Sequence, residues 1–129
     1  MNVLDENFTP VQRQRLQKWR IPVRHIGYDI GRKGMTDENI IPFLLTLPHP
    51  TLFTEDWDYF DKKMCHPAYC LVQLDVQRNE LAIFVRRFLR HKEFKTRAAR
   101  MGAVIRVSYS GLTVWRWKAE KAIFFKWES

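Results

Sequence analysis

Thr51-Leu52-Phe53-Thr54-Glu55-Asp56-Trp57-Asp58-Tyr59-Phe60 is the stretch on which the reading of this chain turns. Its first four residues are β-branched or large and apolar, which predicts a short strand over 51–54. Glu55, Asp56 and Asp58 follow at once. In open α/β sheets, functional groups gather outside the C-terminal ends of the strands. Carboxylates directly after a strand occupy that position.

Outward from this stretch the elements alternate. Upstream, Val3-Leu4 is a short apolar start. Pro10 suits a first helical position and opens a helix to about Arg20, with Val11, Leu16 and Trp19 turned inward. Residues 23–26 read as a second strand, and Gly27, Gly31 and Gly34 punctuate the loop after it. Thr36 is placed to cap a helix that begins at Asp37 and runs through Ile40, Leu44 and Leu47. Pro42 predicts a late start or a kink in it, and Pro48 and Pro50 end it.

Downstream, a short helix is expected over 57–63 and a fourth strand over 69–74. Residues 77–93 carry the clearest helical signal. Leu81, Phe84, Val85, Phe88 and Leu89 fall at i, i+3, i+4, i+7 and i+8. A basic segment, 95–100, leads to a fifth strand over 103–109. Ser110-Gly111 reads as a turn and 112–117 as a returning strand. The tail from Ile123 to Trp127 is apolar and aromatic with basic interruptions. This order predicts a mostly parallel sheet with helices on its faces and an antiparallel edge near the C-terminus.

The totals agree with one domain over 1–129. The chain has 129 residues, 46% of them hydrophobic, enough to close a single core. No run approaches the roughly 18 apolar residues of a membrane helix. Nor does the start carry the basic and apolar pattern of a signal peptide. A soluble, cytoplasmic protein is the expectation, without a membrane partner. Cys65 and Cys70 read as ordinary thiols flanking a strand, because neither a disulfide scaffold nor a four-ligand zinc site is assembled around them and His66.

Charge divides along the chain. Residues 1–61 hold nine acids against seven Lys/Arg, a net of −2, whereas residues 62–129 hold five against fifteen, a net of +10. A basic surface attracts phosphate backbones or acidic proteins. In the acidic half, Asp5 follows the first apolar pair, Asp37 starts a helix, and Asp56 and Asp58 follow the third strand. With a parallel sheet all four approach one rim. Grouped carboxylates repel unless a cation neutralises them, and Mg2+ or Mn2+ prefers such oxygen ligands. Three of the acids also have an ordinary reading: Asp37 and Asp58 as helix-start residues, Asp5 as a turn residue. Their convergence is what favours the metal.

Three pieces carry a family resemblance: Leu4-Asp5-Glu6-Asn7, Thr36-Asp37-Glu38, and Thr54-Glu55-Asp56-Trp57-Asp58-Tyr59-Phe60. The last looks like a T-x-D-x-D-F pattern. The sequence resembles the short PIN-like nucleases, close to the toxin halves of VapBC-like toxin–antitoxin pairs. That resemblance implies a PIN-like three-layer sandwich and a magnesium- or manganese-dependent endoribonuclease. Asp5, Asp37 and Asp56 would hold the metal, with Asp58 as fourth acid and Thr54 as a supporting hydroxyl. It also implies a cognate antitoxin as partner.

In the basic half, Arg86, Arg87, Arg90 and Lys92, with Lys95, Arg97 and Arg100, are expected to meet solvent, an RNA backbone or an acidic antitoxin. Trp115, Trp117 and Trp127 either stack bases or serve as core or homodimer contacts. The competing function is a catalytically silent module that binds RNA or a protein. A weaker option is a metal phosphatase or DNA nuclease using the same acids.

Overall fold

Val3 and Leu4 are both fully buried although adjacent residues of a strand face opposite ways. A strand apolar on both sides belongs inside a sheet covered on both faces. The structure, a computed structural model describing residues 1–127, places them there. β1 (Asn2–Leu4) pairs in parallel with β2 (Arg24–His25) on one side and with β3 (Thr51–Thr54) on the other. β4 (Cys70–Leu74) and β5 (Ala103–Val107) continue the parallel ladder. β6 (Gly111–Arg116) and β7 (Ile123–Lys126) complete it as antiparallel strands. The order is β2-β1-β3-β4-β5-β6-β7. The mostly parallel sheet and its antiparallel end are as the sequence leads one to expect. The aromatic tail is the outermost strand.

Side-chain alternation divides the core into two layers. Leu4, Phe53, Val72, Ile105 and Val114 face α1 (Pro10–Lys18) and α3 (Leu81–Arg90). Val3, Leu52, Leu71 and Val104 face α2 (Asp37–Leu44) and the 3-10 turns Trp57–Tyr59 and Lys62–Met64. Gln12 joins the two helices of the first layer. Its Nε2 donates to Asn79 O at 3.1 Å, and its Oε1 accepts from Ala82 N at 2.9 Å, satisfying an open N–H at the start of α3.

α1 carries the chain outward from β1 to β2, whereas α3 carries it in the opposite direction, from β4 to β5. Both helices cover the same face, so these two crossovers have opposite hands. The usual right-handed preference would have put them on opposite faces.

Local outcomes differ from the sequence expectations in several places. The helix expected over 57–63 is instead two 3-10 turns. Asp56 and Asp61 accept from the N–H groups two residues on, at 2.9 and 2.8 Å, and close tight turns that restart the chain. α3 ends at Arg90, where His91 is extended, and the helical stretch before it is a 3-10 turn, Arg78–Glu80. α2 runs through Pro42 without a late start, though it ends at Leu44 rather than Leu47. Thr36 stands at the cap position but makes no side-chain cap bond. The basic segment contains α4 (Arg97–Arg100), which buries Arg100 against Phe94 O at 2.7 Å and Thr51 Oγ1 at 3.2 Å. Among the described residues no helix is long and apolar enough to cross a membrane.

Candidate metal centre

Strand succession reverses at β1. The chain leaves β1 for β2, then returns past β1 to β3. Crevices form at such reversals, outside the C-terminal ends of the strands. Here a cavity of about 480 Å³ opens, lined by Asp5, Asp37, Thr54, Asp56, Tyr59 and Arg78 among others.

Each acid is positioned by its element. Asp5 is the first residue beyond β1, and its N–H still donates to Phe53 O at 3.0 Å, as a continuation of the ladder. Its Oδ2 accepts from the buried hydroxyl of Thr54 at 2.7 Å. The same Thr54 oxygen accepts from Asp56 N at 3.1 Å, so one hydroxyl ties the exits of β1 and β3 together. Asp56 Oδ1 takes Asp58 N, which turns the chain and brings Asp58 back beside Asp56. Asp37 opens α2 and accepts from Tyr59 Oη at 3.1 Å.

One oxygen from each of Asp37, Asp56 and Asp58 lies within 4.8 Å of the others. Asp5 is outside that trio and joins it through Thr54. Burial pushes the Asp5 carboxyl above its usual range, against the Thr54 hydroxyl and the backbone N–H groups of Glu6 and Asn7, and the Asp56 charge adds to the rise. The Tyr59 phenol is also raised, chiefly by burial, then by its bond to Asp37. It therefore stays a donor.

The donor set is oxygen only, with Asp37 and Asp58 exposed and Asp5 and Asp56 half-buried. No thiol or imidazole is among the residues lining the cavity. Such a set fits a hard divalent cation that keeps part of its water shell.

Several contributors were not singled out from sequence. Tyr59 stood in the quoted motif, but nothing marked its hydroxyl as reaching Asp37. Among the described residues Arg78 is the one basic residue lining the cavity; its Nε meets Glu55 Oε1 at 3.2 Å and its Nη2 donates to Asn7 O at 2.9 Å. Glu6 lines the same cavity, but its carboxylate is engaged by the loop before α2. Both of its oxygens accept from Gly34 N, at 2.9 and 3.0 Å, which fastens the glycine loop.

The basic residues of α3, expected to meet solvent, RNA or a partner, lie apart from the acids. Arg86 and Arg87 lie on α3, on the opposite face of the sheet from α2 and Tyr59. α3 runs back toward the N-terminal strand ends, so Arg90 and Lys92 sit at the rim away from the acids. Arg86 lies over Trp19 at 3.8 Å and Arg87 over Trp127 at 4.4 Å. The structure thus gathers Asp37, Asp56 and Asp58, links Asp5 through Thr54, and leaves the α3 cations apart.

No family model, curated protein or solved structure matches this chain.

Proposed function

We propose that the chain is a Mg2+- or Mn2+-dependent endoribonuclease of the short PIN-like kind, acting as the toxin of a toxin–antitoxin pair. The observation that carries this reading is the approach of Asp37, at the start of α2, to Asp56 and Asp58, at the exit of β3, within 4.8 Å and next to a partly buried Asp5. Three carboxylates at that spacing are mutually repulsive without a cation. A divalent ion bound there supplies a lowered water pKa and an anchor for the phosphate.

The chain's own groups do the rest. Asp37, Asp56 and Asp58 present the ligand oxygens. Thr54 fixes Asp5 Oδ2, and Tyr59 fixes Asp37 Oδ1. Arg78, at the cavity wall, would supply a positive charge to a phosphate undergoing displacement there.

The test is cleavage of single-stranded RNA with Mg2+ or Mn2+ present and with chelator present. Cleavage is expected only with metal, and Asp56→Asn at equal folding is expected to lose at least about a hundredfold. Undiminished cleavage by Asp56→Asn sinks the assignment.

A second reading rests on α3. Its arginines, ordered over Trp19 and Trp127 and remote from the acids, suit an acidic protein such as an antitoxin. A silent binding module would keep that contact and cleave nothing with either metal.

A further inference from the structure

The acids end one side of a polar row that crosses the sheet. Thr54 is the register partner of Gln73, Gln73 of Arg106, and Arg106 of Thr113. All four project to the face covered by the 3-10 turns. Successive strands lie about 4.8 Å apart, so Arg106 is on the order of 14 Å from Asp5.

This row contains polar atoms that the protein itself leaves unmatched. Gln73 is 1% exposed; its Nε2 donates to Glu55 O at 3.2 Å, while its Oε1 is buried without a partner. Arg106 Nε is likewise buried and unpartnered. Burying an unpaired charged or polar group is unfavourable, so these atoms call for a partner that the chain itself does not supply.

Aromatic rings stand beside these atoms. The Arg106 guanidinium lies 5.1 Å from the Trp57 ring and 5.0 Å from the Phe60 ring. Trp57 is 51% exposed and sits in sequence between the two candidate ligands Asp56 and Asp58. One strand further, Lys62 Nζ lies 5.3 Å over the Trp115 ring. Cations and rings therefore alternate along one face, starting at the acids.

We propose that this face binds a single-stranded nucleic acid, with a base stacked on Trp57 and phosphates held by Arg106 and Lys62. The inference rests on the nuclease reading of the adjacent acids. Ring stacking requires a base free of its own neighbour, which a duplex does not offer. The cations supply the salt-dependent part of the affinity. The α3 arginines take no part, because they face the other way.

Binding is measured with the wild-type chain in chelator, where no cleavage occurs, using a fluorescein-labelled RNA oligonucleotide, its DNA counterpart and the matching duplex. Single strands are expected to bind more tightly than the duplex. Trp57→Ala is expected to weaken binding about tenfold, Trp57→Phe to retain most of it, and Lys62→Ala to lower the salt slope by about one ion. Arg90→Ala serves as the control and is expected to bind as the parent does. Parental affinity in Trp57→Ala, a duplex bound as well as a single strand, or a loss confined to Arg90→Ala each overturns the proposal. Trp57-dependent binding in a chain that cleaves nothing with metal leaves this surface standing and removes the nuclease reading. Cleavage with Trp57-independent binding does the reverse.

Discussion

The Tyr59 hydroxyl reaches from the turn after β3 to Asp37 on α2, so one phenol sets the direction of a candidate ligand carried by another element. Tyr59→Phe keeps the ring in its buried place and removes only that bond. We expect a roughly tenfold loss of Mn2+ affinity by calorimetry, with a small change in Tm; unchanged affinity would mean that the bond serves packing alone. Asp5 supplies a pH test. Burial raises its carboxyl above 3.8, so the folded, metal-free protein binds this proton more tightly than the unfolded chain. The corresponding stability is present at low pH and is lost as pH rises from about 3.8 through the raised value. Asp5→Asn is expected to flatten that part of the stability curve in chelator and to raise Tm at neutral pH. A curve unchanged by the substitution would refute Asp5 as the source of that pH dependence. Of these residues the acids were legible, because carboxylates after strands announce themselves by position. Tyr59 was not, since its bond spans twenty-two residues and depends on where α2 settles.

Among the elements, strands were read best where β-branched residues meet firm boundaries, as over Thr51–Thr54. The segment after it was misread as a helix. Asp56 and Asp61, residues that favour local backbone bonds, each start a separate turn there. The sequence does not mark β7 as a strand, because its partner contacts are with β6 and its own pattern alternates poorly: Ile123 and Phe124 are both exposed. Gly111 makes that pairing testable. A Cβ there would stand 2.2 Å from Phe125 O and 3.1 Å from Lys126 Cα, with φ at +151°. Backbone atoms cannot step aside as a flexible side chain can. Gly111→Ala is expected to cost about 1–3 kcal/mol in urea unfolding and to release β7, seen as faster amide exchange at residues 123–126. Protection equal to wild type at those amides would contradict it.

For the molecule as a whole, the charge asymmetry along the chain becomes an asymmetry in space only in part. Asp37, Asp56 and Asp58 of the first half do converge at one rim, with Asp5 tied to them through Thr54. The basic half splits, with Arg86 and Arg87 on one face of the sheet and Lys62 and Arg106 on the other. Composition had no means of telling these faces apart, because the side taken by α3 depends on the hand of its crossover, and that hand is opposite to the hand of the α1 crossover. A cation that binds only the folded state should raise Tm with its concentration. We expect Mn2+ to do so in the wild type and not in an Asp37→Asn, Asp56→Asn double variant; an equal rise in both would place the ion elsewhere.

The bond from Gln12 to Ala82 spans seventy residues, and its effect extends to the order of synthesis. α1 buries little apolar surface of its own, with Leu16 its one buried apolar residue, so it gains its layer only when α3 arrives. By Asp58 the emerging chain already holds all four carboxylates, yet the helix that covers the far side of their sheet begins at Leu81. A nascent chain halted between those points would carry the full set of ligands without the scaffold that brings them together.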